Sequence, residues 1–353
     1  MRHIAAFLTL ILAVGCGKPF YLVTQNRVQM DGPVVTTGKI VTETPPVPDG
    51  GPITEMPLEG GPINAHEPKI GLVDVDGLFL NMDFTGPYSL GENPVAVFRE
   101  KLDAIAADPD VCAVIVRINS PGGGVTATDI MWRDLMAFKA KTQRPVVACL
   151  MDLGTGGAYY LATAADIIVA HPTTITGGIG VIINLYNLRD LMAQYNVVMQ
   201  GIKAGPNIDM GTSAHNLSPE AKDLLQAMAD EFHQRFQRAV KLSRPKLEVN
   251  GGTTFDGRVF TAHRALERGL IDRIGYLDDA VVEARRLAKL DNARLVLFHR
   301  CNDPVRSPYG ITPNVPLQAT AIPFSLPGLD RSRLPTFLYV WEPEVTLERL
   351  SGK

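Results

Sequence analysis

Two glycine-rich turns contain the residues whose types and spacing could perform chemistry. Each turn follows an apolar, β-branched run and precedes a helical pattern. A glycine turn that opens a helix presents unpaired backbone N–H groups and the positive end of the helix dipole. Two such turns side by side predict a socket for an oxyanion, unless the glycines serve only the tight turns. The candidate site residues are Gly122, Gly123, Gly124, Thr155, Gly156 and Gly157.

The elements around these turns predict how they are positioned. Short apolar runs bounded by Gly and Pro alternate with helical patterns, as in the βα units of a parallel sheet. A strand is predicted from Lys69 to Phe79, and an amphipathic helix is predicted to begin at Pro94. A longer helix is predicted after Ser218, a capping residue that is followed by Pro219. These patterns predict an α/β fold class.

Three separated segments occur in a fixed order along the chain. They are INSPGGGVTATD, GGAYYLATAADIIVAHPTTITGGIGV and FDGRVFTAHRALERGLIDRIGYLDDAV. Together, over roughly residues 69 to 290, they resemble the signal peptide peptidase A family of membrane-associated serine peptidases. The resemblance implies a ClpP/crotonase-like fold of repeated ββα units, with a parallel sheet flanked by helices.

The same resemblance implies a site that has lost its reacting groups. In the family, a serine attacks the peptide carbonyl and a lysine accepts the proton. In the simplest match, the serine position falls on Gly156 and the lysine position on Pro206. Neither residue has a group that can attack or accept a proton. The backbone amides of Gly123 and Gly157 would still polarise a carbonyl, which implies a weakly active or inactive peptidase homologue.

Two alternatives keep an enzymatic activity. A one-residue insertion in the second turn would make Thr155 the nucleophile and Lys203 its base, although Thr155 also suits a helix N-cap and Lys203 a solvated surface. A crotonase-type enzyme that acts on an acyl thioester would use the same oxyanion hole. Export from the cytoplasm, where acyl-CoA is found, weighs against this second alternative.

Other polar residues are weaker candidates. Asp152 lies beside the second turn, and His171 precedes a proline at a strand end. Asp129, Asp209 and His215 do not have metal-ligand spacing, so neither a metal nor another cofactor is expected. The net charge of -3 and the pI near 6.2 give no basic patch, so no nucleic-acid partner is expected.

The N-terminus predicts export and lipid anchoring. Residues 1–15 contain Arg2 and an apolar run that is shorter than the about 20 residues that span a bilayer, as in a signal peptide. Cys16 follows a lipobox-like ending and is the predicted lipidation site, with ordinary secretion as the alternative. The expected location is the cell envelope, on the periplasmic side of a membrane.

The remaining segments complete the predicted organisation. Residues 16–68 are a Pro/Gly-rich tether, residues 69–298 form the peptidase-like domain, and residues 299–353 are a Pro-rich tail that lies on the core as an extended edge. The expected partners are extended or signal-peptide-like segments, the membrane through the lipid anchor, and further copies of this chain.

Overall fold

A mostly parallel sheet organises the chain. The computed structural model describes residues 51–58, 66–82, 92–247, 253–301, 307 and 337–341, all within one compact unit of residues 48–319 and 324–353. The strands are β1 Ile53–Pro57, β2 Lys69–Asp76, β3 Val111–Ser120, β4 Gly122–Gly124, β5 Val146–Thr155, β6 Ile167–Ala170, β7 Ile175–Gly177, β8 Val259–Thr261, β9 Arg273–Ile274, β10 Arg294–Arg300 and β11 Leu338–Val340. The helices are α1 Pro94–Ala107, α2 Val125–Thr142, α3 Gly157–Ala162, α4 Arg189–Gln194, α5 Pro219–Ser243, α6 Ala262–Glu267 and α7 Leu277–Ala288, with a 3-10 turn at Thr253–Phe255.

The strand order confirms the predicted α/β class and its parallel sheet. The main path runs β1-β10-β2-β3-β5-β6-β9, and β7 pairs with β5 and β8. All pairs along that path are parallel except β1 with β10, and β7 is antiparallel to β8. Helices connect the parallel neighbours, which gives the ClpP/crotonase-like arrangement that the resemblance implied.

Helices cover both faces of the sheet. Val73 and Val116 of the strands belong to a core cluster with residues of α1, α2, α3 and α5, including Phe236. Leu72 and Ile115 point to the opposite face, where they belong to a cluster with α7. Successive strand residues alternate between these two layers, as buried parallel strands require. No helix in the described ranges is long and apolar enough to cross a membrane.

The two predicted helix starts are confirmed, and each is capped by a side chain. Asn93 precedes Pro94 and accepts hydrogen bonds from the N–H groups of Val95 and Ala96. Ser218 precedes Pro219 and accepts from the N–H of Ala221. Both helices therefore begin with the pattern of a capping side chain followed by proline at the first helical position.

Both ends of the described chain add strands to the predicted domain. Residues 53–57, which lie in the predicted tether, form β1 and pair with β10. The expectation of an unstructured tether is therefore wrong for these five residues, because they pair with β10 at the sheet edge, where a strand tolerates Pro57. The tail does contain an extended segment on the core, as expected, at β11. Residues 1–50, with Cys16, lie outside the described residues.

A charged cluster is buried at the carboxyl end of β2. Lys101 of α1 and Asp74 of β2 form an ion pair of 2.6 Å whose side chains are almost fully buried. Asp74 also lies beside the buried Arg117 in the parallel register. Asp76, two residues further on, has a buried carboxylate oxygen without a hydrogen-bond partner. Burial, reinforced by the charge of Asp74, raises the pKa of Asp76 from 3.8 to about 7, against the opposing charges of Arg117 and Lys101.

The raised pKa of Asp76 predicts a pH-dependent stability that Asp76→Asn removes. The folded chain keeps the proton up to about pH 7, whereas the unfolded chain releases it near pH 4, so stability falls as the pH rises between these values. We expect the free energy of unfolding of Asp76→Asn, relative to that of wild type, to rise by about 1–3 kcal/mol between pH 5 and pH 8, with a slope of at most about 1.4 kcal/mol per pH unit. Urea unfolding of both proteins from pH 5 to pH 8 measures this difference. A difference that does not change with pH would contradict the prediction.

Candidate functional site

The second glycine turn has the geometry of a strained strand-to-helix junction. Strand β5 ends at Thr155, helix α3 begins at Gly157, and Gly156 joins them with φ 52° and ψ −123°. The N–H of Gly156 donates to the carbonyl of Gly177 at 2.9 Å. In α/β-hydrolases, a strained turn between a strand and a helix presents the nucleophile. Here the turn is present, but the residue at its apex has no side chain.

Hydrogen bonds to Ser120 and Phe79 fix the first glycine turn. The buried Ser120 hydroxyl donates to the carbonyl of Gly77 and accepts from the N–H of Gly122. Phe79 donates its N–H to the Gly122 carbonyl and accepts from the N–H of Gly124. The amides of Gly122 and Gly124 are therefore used inside the chain. Gly123 is the residue of this turn whose backbone groups face the outer edge, where they pair with β11.

Strand β11 lies on that outer edge. It runs antiparallel to β4, and the register pairs Gly123 with Tyr339. The N–H of Trp341 donates to the Pro121 carbonyl at 3.0 Å. On the other edge of β11, Leu338 and Ile182 exchange two hydrogen bonds of 3.0 and 3.1 Å. The segment therefore occupies a slot between two backbone edges.

The carbonyl group of Tyr339 fills the space that a side chain on Gly156 would occupy. A Cβ atom built on Gly156 would lie 2.8 Å from the carbonyl carbon of Tyr339 and closer still to its oxygen. A Cβ built on Gly122 would overlap the same oxygen and would lie 2.6 Å from the N–H nitrogen of Gly157. Gly123 and Tyr339 lie between the flanking hydrogen bonds Val125–Phe337 and Trp341–Pro121, so they form a hydrogen-bonded pair of the ladder. The Tyr339 carbonyl thus lies in the cradle that the two turns form.

The side chain of Tyr339 anchors β11 in the core. It is fully buried, and its hydroxyl donates to the carbonyl of Phe232 at 2.8 Å. Its ring stacks on Tyr160 with centroids 5.5 Å apart and contacts Phe236 at 4.9 Å. Burial raises the pKa of the Tyr339 hydroxyl above its ordinary value of 10, so the group stays a donor.

Thr155 is not placed as a nucleophile or as a helix cap. The side chain is fully buried, and its hydroxyl donates to the carbonyl of Pro121 at 3.3 Å. The N-cap of α3 is Gly156, which has no side chain to cap the helix. The expected capping role of Thr155 is wrong because the turn at Gly156 delays the start of the helix by one residue.

Lys203 and Pro206 lie in the exposed segment that follows α4. The Lys203 ammonium binds both oxygens of Asp209, at 2.8 and 2.9 Å, and the carbonyl of Pro206 at 3.3 Å. Hydrogen bonds from Lys203 and His215 lower the pKa of Asp209 to about 2, so this carboxylate stays charged. Thr155 and Lys203 are therefore held in separate interactions, one in the core and one on the surface.

Two of the other polar candidates, Asp129 and His171, have structural partners, and the third is exposed. The Asp129 carboxylate accepts hydrogen bonds on both oxygens from the Arg235 guanidinium and one from the Tyr160 hydroxyl. His171 bonds to Thr173 and lies edge-on to the ring of Tyr276. Asp152 is exposed. In the described part of the chain, no group of three His, Cys, Asp or Glu side chains could hold a metal ion.

The sequence patterns did not identify β11 or Ile182, which pairs with the outer edge of β11. Tyr339 and Ile182 complete the slot on both sides of the first turn, yet neither lies in a glycine motif. The alternating aromatic residues Phe337, Tyr339 and Trp341 were the available signal, because alternation is typical of a half-buried strand. The pattern predicts the strand but does not identify its neighbour.

Comparison with known proteins identifies the family. The model of peptidase family S49 matches residues 138–291. The chain is 30% identical over 247 residues to a putative signal peptide peptidase SppA of Enterococcus faecium, a match that covers 70% of each protein. The chain belongs to peptidase family S49, the signal peptide peptidase A family. The second and third of the segments that suggested this resemblance lie within the matched residues 138–291.

This chain spans about a third of the length of two other relatives that it matches. Protease 4 of Salmonella typhi is 33% identical over 183 residues, which are 52% of this chain and 29% of that protein. The chloroplastic serine protease SPPA of Arabidopsis thaliana is 32% identical over 234 residues, which are 66% of this chain and 33% of that protein. A solved structure of a membrane-bound stomatin-specific protease aligns at 15% identity with a TM-score of 0.39, over 62% of this chain and 84% of that one.

Proposed function

We propose that this chain is a peptide-binding member of the S49 family with a degenerate Ser/Lys dyad and little or no peptidase activity. The observation that carries the proposal is the apex of the second turn. Gly156 keeps the strained backbone of a nucleophile turn but has no attacking atom, and the carbonyl of Tyr339 fills the adjoining space. A carbonyl-binding cradle without a nucleophile binds a peptide and does not cleave it.

The slot between β4 and Ile182 supports an extended peptide as the ligand. Gly123 offers a backbone pair on one side, and Ile182 offers its N–H and carbonyl on the other. Main-chain hydrogen bonds of this kind bind a peptide largely without regard to its sequence, while alternate side-chain pockets select it. Signal-peptide-like segments, which are apolar and adopt extended conformations, fit this description.

The proposed location is the cell envelope, with the chain anchored through a lipidated Cys16 on the periplasmic side of a membrane. The support for this location is the signal-peptide pattern of residues 1–15 and the lipobox-like ending before Cys16. Residues 1–50, which contain these features, lie outside the described residues.

Self-association is part of the same proposal. The segment around α4 exposes large apolar side chains, and α4 itself buries none of its residues. Tyr195, Val198, Met199, Ile202 and Ile208 are between 59% and 107% exposed. Exposed apolar surface of this extent is typical of protein interfaces, and a further copy of this chain is the partner that we propose.

A hydrolysis assay with matched variants tests the proposed loss of activity. Purified protein is incubated with denatured protein and with signal-peptide mimics, alongside Thr155→Ala, Lys203→Ala and Thr174→Ala. Thr174 is the control because it is also fully buried with its hydroxyl bonded to backbone carbonyls. We expect no turnover above background in any of the four proteins. Turnover that Thr155→Ala or Lys203→Ala abolishes while Thr174→Ala leaves it intact would establish the displaced pair as catalytic and overturn the proposal.

A further inference from the structure

We propose that Asp76 is a positioning residue that makes the first glycine turn sensitive to pH. The protonated carboxyl group keeps the turn in place, and the loss of its proton loosens the turn. This inference goes beyond the proposed peptide binding, because it concerns the control of the cradle and applies to any group that the cradle accepts. It is therefore tested separately from the proposed loss of peptidase activity.

A continuous path of hydrogen bonds joins the residue after Asp76 to the first glycine turn. The N–H of Gly77 donates to the Asn119 carbonyl at 3.1 Å, and the Gly77 carbonyl accepts from the Ser120 hydroxyl. The same hydroxyl accepts from the N–H of Gly122 at 3.0 Å. A movement of the strand end at Asp76 is therefore transmitted to Gly122 through the Ser120 side chain.

Phe79 provides a second connection between this strand end and the turn. Its side chain is fully buried, and its N–H donates to the Gly122 carbonyl at 2.9 Å. Its own carbonyl accepts from the N–H of Gly124 at 2.8 Å. Residues 77–79 are therefore bonded to the turn at both ends, and a displacement that starts at Asp76 moves the segment and the turn together.

Asn119 extends the path to the second glycine turn. It is the register partner of Asp76 in the neighbouring strand β3, and its side-chain carbonyl accepts from the N–H of Leu153 at 3.1 Å. Leu153 lies in β5, two residues before that strand ends at Thr155. The strand ends that precede both glycine turns are therefore connected to the position of Asp76.

The surroundings of Asp76 favour its protonated form. One carboxylate oxygen is buried and has no hydrogen-bond partner among the described residues. Asp74 of β2 adds a like charge, whereas Arg117 of β3 and Lys101 of α1 add opposite charges. The Lys101 ammonium is already paired with Asp74 at 2.6 Å. Burial and the charge of Asp74 outweigh the two cations, which is why the pKa of Asp76 is raised to about 7.

The other titratable groups of this cluster do not change charge in the same pH range. His299 of β10 is buried and lies in the field of Lys101 and Asp74. Burial lowers the pKa of His299 below its ordinary value of 6.5, so its ring is neutral above about pH 6.5. Burial raises the pKa of the Cys149 thiol of β5 to about 12, so the thiol also stays neutral. Asp76 is therefore the group that gains a charge as the pH rises through about 7.

The direction of the effect follows from the cost of burying a charge. Below about pH 6 the carboxyl group is protonated and is stable in its buried position. Above about pH 7 the carboxylate needs hydration, so an opened arrangement in which it reaches water becomes more favourable. The population of this opened arrangement increases by at most about tenfold per pH unit. The cradle is therefore formed in acid and loosened in alkaline solution.

Amide NMR and hydrogen exchange on the full chain test the inference in wild type, Asp76→Asn and His299→Gln. In wild type, the amide resonances of Gly122 and Gly124 should shift with a midpoint near pH 7. Their exchange, corrected for intrinsic rates, should accelerate at least about tenfold between about pH 5.5 and about pH 8. Neither change should occur in Asp76→Asn, and both should persist in His299→Gln. Gly257, which has no atom within 4 Å of an added Cβ, is the internal control whose resonance should not follow this titration.

The possible failures point to different causes. Resonances of Gly122 and Gly124 that do not titrate, or that titrate equally in Asp76→Asn, would overturn the coupling to Asp76. A titration that disappears in His299→Gln would assign it to the histidine and also overturn the inference. If the two glycine amides exchange at pH 8 as slowly as the β5 amides, they open only by global unfolding, and the turn is not controlled separately. If Asp76→Asn does not fold, wild type and His299→Gln decide by the same criteria.

Discussion

Replacing Tyr339 with alanine is expected to lower the free energy of unfolding by about 3–5 kcal/mol, the usual range for removing a buried aromatic side chain. The side chain is fully buried, and it contributes ring contacts to Tyr160 and Phe236. Tyr339→Phe keeps these contacts and loses the hydrogen bond to the Phe232 carbonyl, so we expect it to cost about 1 kcal/mol. Urea unfolding, monitored by tryptophan fluorescence, measures both values.

The control for this prediction is a tyrosine that makes little contact. Tyr195 is 75% exposed, and Tyr195→Ala should change the free energy of unfolding by less than about 0.5 kcal/mol. If Tyr339→Ala lowers the free energy of unfolding by less than about 1 kcal/mol, β11 does not anchor the tail on the domain in solution. That result would contradict the conclusion that β11 occupies the slot between β4 and Ile182.

Replacing Gly156 with alanine is also expected to have a large effect and to lower the free energy of unfolding by about 2–5 kcal/mol. An alanine at φ 52° and ψ −123° is strained by its own backbone conformation. Its Cβ would also lie 2.8 Å from the carbonyl carbon of Tyr339, so β11 or the turn must move. Thermal and urea unfolding of the variant measure the combined effect.

Gly257 offers a control that separates backbone strain from steric overlap of the added Cβ atom. Its φ is +85°, but a Cβ built on it would have no atom within 4 Å, so Gly257→Ala should cost about 1–2 kcal/mol. In the Tyr339→Ala background, where β11 is released, Gly156→Ala should cost little more than Gly257→Ala. Full additivity of Gly156→Ala and Tyr339→Ala would show that the two residues do not share one site.

Much of the domain could be predicted from local patterns. The strand from Lys69 and the helices from Pro94 and Ser218 have signals within a few residues, namely apolar runs and a cap followed by proline. The glycine turns could be located because each lies between a strand pattern and a helix pattern. Their hydrogen bonds were harder to predict, since Gly122 and Gly124 bond to Ser120 and Phe79, whereas Gly123 pairs with β11.

The contacts of the two chain ends could not be predicted in the same way. β1 and β11 are short strands, and each pairs with an element far away in the sequence. A short alternating segment can pair with any free sheet edge, so its pattern gives no partner and no register. Thr155 shows a similar limit at short range: its place before a helix suggested a cap, but the helix begins only after Gly156, and the Thr155 hydroxyl donates to the Pro121 carbonyl.

Amide hydrogen exchange of residues 338–341 in the wild-type protein is the most direct test of whether β11 occupies the slot between β4 and Ile182. The N–H groups of Leu338 and Trp341 are bonded to Ile182 and Pro121, whereas residues 198–204 are exposed. If β11 stays on β4 in solution, its amides should exchange at least about a hundredfold more slowly than those of residues 198–204, after correction for intrinsic rates. Exchange of residues 338–341 as fast as that of residues 198–204, while the β3 amides stay protected, would show an open groove. That result would contradict the account of a nucleophile space filled by the chain's own tail.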